Sequence, residues 1–146
     1  MPNQIENTSR LISGTFGELW IDNQLVGECY GLQLKVTFDK EDVQLPGRIM
    51  KDTKLKSAKG TGTVKYYKVN SRFAEIVGDN MLKGIDSRFT LISALKDPDA
   101  YGYERVCVRG ASFDDLVLAD WEAGSIIKHD SPLTFTSWEY LDRIAV

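Results

Sequence analysis

Apolar and polar residues alternate along much of this 146-residue chain with a period of two, which is typical of half-buried β-strands. The clearest case is GLQLKVTF (31–38). Asp22 and Asn23 tolerate positive φ, so they predict a hairpin turn between two such stretches. The predicted strands are 16–21, 24–30, 31–38, 61–69, 88–95, 104–110, 112–121 and 125–138. Strands at this spacing predict a β-sandwich or barrel.

One segment has the periodicity of a helix. Its apolar residues recur at helical spacing: Phe73, Ile76, Val77 and Met81. Ser71 is a favourable N-cap and Gly84 stands where a helix would end, so the pattern predicts one α-helix over 71–83. Such a helix must bury its apolar stripe against an open end of the barrel or against a neighbouring subunit.

The stretch 39–60 shows neither period and is predicted as a long loop. Loops of that length are usually functional or ordered by a partner. With an N-terminal arm over 1–14, these elements predict a single domain spanning 1–146, mainly β with one flanking α-helix. A chain of this length buries about two-thirds of its unfolded surface, so it needs neither disulfide nor metal to fold.

Charge is distributed unevenly along the chain, whose net charge is −3. Residues 1–46 carry −4, residues 47–72 carry +7 and residues 73–146 carry −6. A chain with one basic segment and an acidic remainder is complementary to itself. Such complementarity steers association and sets its register.

Catalytic and metal chemistry find little support in the sequence. His129 is the only histidine, and the neighbouring Asp130 would point to the opposite face of a strand. Cys29 and Cys107 lack metal-ligand spacing and are interpreted as buried, reduced thiols. No apolar run reaches the ~18 residues of a membrane span and no signal region opens the chain, so we expect a cytosolic protein unless lysis releases it.

The basic segment contains two stretches that resemble binding motifs. Gly60 and Gly62 precede a strand instead of a helix and lack the remaining residues of a nucleotide-binding loop. The run Lys65–Lys68, with two tyrosines between two lysines, suits single-stranded nucleic acid, whose bases stack on aromatic faces. Only one of the two tyrosines can join such a platform, because they point to opposite faces of a strand.

Several motifs resemble the phage tail tube (tail core) proteins of contractile-tailed phages, PBSX-type defective prophages and R-type bacteriocins. The resembling stretches, in the family's order, are Asn7-Thr8, Ile12–Gly14, Gly17–Asp22, Gly60–Thr63, Tyr67–Phe73 and Pro132–Thr136. Two departures are Ser9–Leu11, which looks like an insertion, and Asn23, where the family usually has glycine. The insertion leaves the path of the N-terminal arm undefined by the resemblance.

The resemblance implies a β-barrel-like sandwich that forms hexameric rings, stacked into a hollow tube inside a contractile sheath. It implies sheath and baseplate partners, assembly in the bacterial cytoplasm, and DNA in the bore of an infectious particle. It implies no enzyme activity, no metal and no cofactor. The alternatives are a tube protein similar to those of type VI secretion and a monomeric single-stranded nucleic-acid-binding module.

The basic segment is accordingly interpreted as an assembly surface. We hypothesise that its lysines meet acidic surface on the next subunit, and that an acidic bore lets DNA slide without adhering. The candidate inter-subunit and inter-ring contacts are Lys51, Lys54, Lys56, Lys59, Leu11, Ile12, Phe73 and Ile76.

Overall fold

The computed structural model describes residues 8–69 and 71–144, with positions 72, 73 and 76 described by their backbone alone. Its strands and helix, in chain order, are β1 (Gly17–Ile21), β2 (Gln24–Leu25), β3 (Cys29–Val43), β4 (Asp52–Tyr67), α1 (Arg72–Leu82), β5 (Phe89–Leu95), β6 (Glu104–Phe113), β7 (Lys128–Phe135) and β8 (Ser137–Asp142). The mainly β fold with one helix that the sequence predicts is confirmed.

The strands form one antiparallel sheet in the order β2-β1-β5-β6-β7-β4-β3, with β8 also paired to β6. Strand β6 changes partner at Gly110, whose φ is +67°. Before this glycine β6 pairs with β8, and after it Ser112 and Phe113 pair with β7. The sheet therefore folds over on itself, and its two halves enclose one core, which includes Leu19, Ile21, Val64, Leu91, Val108, Leu133 and Phe135.

The predicted hairpin at Asp22 and Asn23 is present. Both residues have positive φ, 48° and 67°, and they join β1 to β2. The second predicted strand, 24–30, is interrupted, because β2 ends at Leu25 and a turn follows in which the Cys29 amide donates to the Val26 carbonyl.

The prediction of a long loop over 39–60 is wrong. Strand β3 continues to Val43 and β4 begins at Asp52, so all but the intervening turn is a β-hairpin, with one register shift between Asp39 and Lys40. The pattern of apolar and polar residues did not reveal this part of the hairpin, because it has no face on the core. Without a buried face, alternation of apolar and polar residues is not required.

Two predicted strands after β5 also need correction. The prediction 112–121 is wrong beyond Phe113, where β6 ends. The Asp114 amide still donates to the Pro132 carbonyl, and the chain then leaves the sheet. The predicted strand 125–138 is two strands that bend at Thr136, whose amide donates to the Arg109 carbonyl.

Helix α1 is confirmed, within one residue of its predicted ends. Ser71 occupies the N-cap position without a side-chain hydrogen bond. Gly84 ends the helix with φ of +73°, and its amide donates to the Met81 carbonyl. Val77 packs against the core. A Cβ built on Gly78 would lie 3.0 Å from Leu116, which shows how closely the chain after β6 approaches the helix.

Candidate assembly interface

The β3–β4 hairpin extends beyond the rest of the sheet. Strand β4 pairs with β7 only from Gly60 onward, where Gly60 lies opposite Phe135. The part before that point, residues 37–59, is exposed at every position and is called the outer hairpin below. Among the described residues its strands pair only with each other, so it extends from the sheet without contributing to the core.

The predicted lysines lie on this outer hairpin. Lys54, Lys56 and Lys59 are on β4 itself, and Lys51 directly precedes the strand, so they do not lie on the long loop that the sequence predicted. Within the described part of the chain none of the four ammonium groups has an ion-pair partner. Although Glu41 lies opposite Lys54 in the register, the basic charge remains available to another molecule.

The tip of the outer hairpin is apolar as well as basic. Ile49 is 97% exposed and Met50 is 81% exposed. A turn over Leu45–Arg48 holds them, with Gly47 at φ of +77° and the Gln44 side-chain amide donating to the Arg48 carbonyl at 2.6 Å. Sequence reasoning missed both apolar residues, although Pro46-Gly47 is a turn signal that could have revealed the hairpin.

The glycines of the Gly-Thr-Gly-Thr stretch have a packing role. A Cβ on Gly60 would lie 2.4 Å from the Phe135 ring, and one on Gly62 would lie 2.5 Å from the Gln33 carbonyl oxygen. Both residues are buried. They mark the point where the exposed outer hairpin becomes part of the barrel wall.

The other predicted contacts lie elsewhere. Leu11 and Ile12 are exposed on the N-terminal arm, whose described part begins at residue 8. The arm follows the β5–β6 connection: Arg10 Nη1 donates to the Asp99 carbonyl, and the Ser13 amide to Asp97 Oδ2, both at 2.8 Å. The side chains of the remaining two candidates, Phe73 and Ile76, lie outside the described residues.

A second exposed surface was not predicted as a site. Residues 114–127, called the acidic loop below, connect β6 to β7 and contain four carboxylates and no basic residue. Three of its apolar side chains face solvent: Leu118 at 78%, Trp121 at 75% and Ile126 at 76% exposure. The carboxylates and apolar residues of this loop are visible in the sequence, but residues 112–121 were interpreted as a strand.

His129 and Cys29 show no catalytic arrangement in the structure. His129 is buried edge-on against Tyr66, with a centroid separation of 5.6 Å, and neither ring nitrogen has a hydrogen-bond partner. Burial raises the pKa of the Cys29 thiol, which disfavours its reactive thiolate. In residues 8–69 and 71–144 no three potential ligands gather into a metal site, and no helix there has the length and apolarity to span a membrane.

The two tyrosines of the Lys65–Lys68 motif differ in burial, as expected from their opposite faces of the strand. Tyr66 is buried, whereas Tyr67 is partly exposed and stacks on Tyr30 at 4.6 Å between centroids. The Lys128 ammonium lies over both exposed rings, at 5.7 and 5.8 Å from their centroids. One tyrosine pair with a neighbouring lysine is a small platform, and its cation is already engaged by the rings.

The chain is similar to known proteins in both sequence and fold. A family described as "Phage tail tube protein" matches residues 4–142. The phage-like element PBSX protein XkdM of Bacillus subtilis (strain 168) is 32% identical over 136 residues, which cover 92% of each chain.

Solved structures with the same fold include a chain of the sheath–tube complex of the PVC extracellular contractile injection system, with a TM-score of 0.73 and 8% identity over 91% of this chain and 93% of that one. The tube-terminating cap of the anti-feeding prophage has a TM-score of 0.74 and 11% identity over 97% of both chains. Since the family match spans nearly the whole sequence, this chain belongs to the phage tail tube protein family.

Proposed function

We propose that this protein self-assembles into stacked hexameric rings, which form the inner tube of a contractile tail or a tail-like bacteriocin particle. The observation that carries the proposal is the outer hairpin. It is ordered, basic and tipped by two exposed apolar residues, yet it buries nothing against its own subunit. An element of this kind gains burial only by inserting against another subunit.

The hexamer and the partners draw support from related particles. Tail subunits of a gene transfer agent were solved with C6 symmetry, and the baseplate of the anti-feeding prophage is 6-fold symmetrised. Neighbours of this fold occur in a sheath–tube complex and a sheath/tube terminator. The proposed partners are therefore further copies of this chain, a sheath protein and baseplate proteins, with assembly in the host cytoplasm and DNA in the bore where the particle is infectious.

The test is negative-stain electron microscopy of the purified protein at low salt and high concentration. Rings or hollow tubes of uniform diameter are expected, with six-fold symmetry in end views. A variant with Lys51, Lys54, Lys56 and Lys59 all replaced by glutamate should remain folded and form no tubes. Tubes from this variant at the wild-type concentration would show that the lysines do not take part in assembly.

The control separates assembly from nucleic-acid binding. Wild-type protein is titrated with a labelled single-stranded oligonucleotide at moderate salt, since the Tyr30–Tyr67 pair is the most plausible base-stacking surface. No saturable binding is expected below micromolar concentration. Tight binding by a protein that stays monomeric at every concentration would replace the tube with the single-strand-binding alternative.

A further inference from the structure

The acidic loop (114–127) is the second surface that a head-to-tail assembly requires. We infer that it receives the outer hairpin of another copy of this chain. The inference rests on the proposed function and names the contact through which the copies join. It follows from where the two surfaces lie on the sheet, from their charges and from their exposed apolar residues.

The two surfaces lie at opposite ends of one strand. Strand β4 starts at Asp52 beside the hairpin tip and ends at Tyr67, which is opposite Lys128 in the register. The acidic loop directly precedes Lys128. A strand of 16 residues spans about 50 Å. The hairpin tip therefore cannot reach the acidic loop of its own subunit.

Their net charges are opposite, since the whole outer hairpin holds six basic and four acidic residues, with the basic ones concentrated in its tip and β4. The loop holds Asp114, Asp115, Asp120 and Glu122 without a basic residue, and none of these side chains has an ion-pair partner in the described part of the chain. Residues 44–59 of the outer hairpin hold five basic residues and one acidic residue. Pairing the two surfaces between copies juxtaposes opposite charges, whereas hairpin-to-hairpin contact would juxtapose like charges.

Apolar residues accompany the charge on both surfaces. In the loop, Leu118, Trp121 and Ile126 are mostly exposed, as are Ile49 and Met50 at the tip. Tryptophan is enriched at the energetic centres of protein interfaces, because it buries a large area with few rotatable bonds. The loop is also anchored, since Leu116 packs on helix α1 at Gly78. The exposed apolar residues of the loop are therefore carried by a segment that is packed against the helix.

Two different patches at opposite ends of a subunit make a heterologous contact. Such a contact cannot close as a two-fold dimer; it forms a ring where its rotation closes and an open filament where it does not. Because the two patches lie towards opposite ends of β4, the contact joins copies end to end, which is the arrangement of a filament. The geometry thus favours growth along the long axis of the β3–β4 hairpin. This direction is what stacking of rings into a tube requires.

The test is a pair of charge reversals. Asp120→Lys with Glu122→Lys alters the loop, and Lys51→Glu with Lys54→Glu alters the hairpin. Each variant alone is expected to raise the critical concentration for tube formation, measured by pelleting and electron microscopy, at least about tenfold, because like charges then meet. An equimolar mixture should restore tubes, since each altered surface then meets an opposite charge on the other variant.

The matched control is Glu75→Lys with Asp79→Lys, an equal charge change at two exposed positions on α1. It is expected to assemble as the wild type does. Loop variants that assemble normally, or a mixture that does not restore tubes, would overturn the inference while leaving tube formation by the wild type intact. Failure of the wild type to form any tube would instead remove the proposed function.

A second measurement does not depend on variants. Carbodiimide treatment of wild-type tubes couples amines to carboxylates in direct contact, and mass spectrometry identifies the joined peptides. Lys51 or Lys54 joined to Asp120 or Glu122 is expected, and these pairs are too far apart within one subunit to form intramolecularly. If these lysines are joined only to other carboxylates in the tube, the acidic loop is not the receiving surface.

Discussion

The Phe135 ring lies directly over the α-carbon of Gly60. A Cβ at Gly60 would stand 2.4, 2.5 and 2.7 Å from three carbons of that ring, closer than non-bonded carbons approach. The two residues face each other across the β4–β7 pair, at the position where β4 loses its second neighbour. This contact closes the core beneath the outer hairpin.

Gly60→Ala is therefore expected to lower the free energy of unfolding by about 1–3 kcal/mol, the usual cost of overpacking a closed core. Equilibrium urea denaturation measures it. Gly27→Ala is the matched control, because a Cβ there has no heavy atom within 4 Å. Equal stability of the two variants would mean that the Phe135 ring moves aside without cost.

His129→Phe is expected to raise the free energy of unfolding by about 1–2 kcal/mol. The buried imidazole has no hydrogen-bond partner for either nitrogen, and burying unpaired polar atoms costs about 1–3 kcal/mol. Phenylalanine preserves the edge-on packing against Tyr66 without that cost. Thermal and urea unfolding are compared with those of His129→Asn, which should be less stable than the wild type. A clear loss of stability in His129→Phe would reveal an interaction that the structure does not show.

The raised pKa of Cys29 predicts that the free energy of unfolding falls at alkaline pH. Burial disfavours the thiolate, so the folded thiol keeps its proton above the pH at which an unfolded cysteine loses it. Its contribution to stability is complete below the unfolded pKa of about 8.5 and is lost progressively as the pH rises above it. Urea titrations between pH 7 and 10 should show a shallower decline for Cys29→Ala, and an unchanged decline would contradict the prediction.

Ile49→Ser combined with Met50→Ser is expected to leave the folded subunit within about 0.5 kcal/mol of wild-type stability, because both side chains are already in solvent. Assembly should weaken at least tenfold in critical concentration, since burying each side chain contributes about 1.5–3 kcal/mol. Val69→Ser, at another exposed apolar position, is the control. Normal assembly of the double variant would exclude the tip from the contact.

The sequence predicted those elements that contact the core. The alternation in 31–38 arises because Leu32, Leu34 and Val36 pack on the core, and helix α1 packs Val77 on the same core; both predicted elements are confirmed. The family was also recognised correctly from spaced motifs. The approach of Phe135 to Gly60 could not be predicted, because it depends on the register of strands that are distant in the chain.

Two of the errors have one cause. The outer hairpin was predicted as a loop and part of the acidic loop as a strand, and neither segment packs its exposed residues on its own core. Alternation reports burial within a subunit, so it cannot identify segments whose apolar residues await another molecule. Under our proposal, the segments where the pattern failed are those that meet between subunits.

Strand β3 has a final consequence for the free protein. Among the described strands it lies at an edge of the sheet, and an edge strand presents backbone groups that can template aggregation. Charged residues crowd its outer part, namely Asp39, Lys40, Glu41 and Asp42, with the basic residues of β4 beside them. Such gatekeeper charges oppose indiscriminate strand addition. The same side chains would thus keep newly made subunits in solution until a correctly oriented partner arrives.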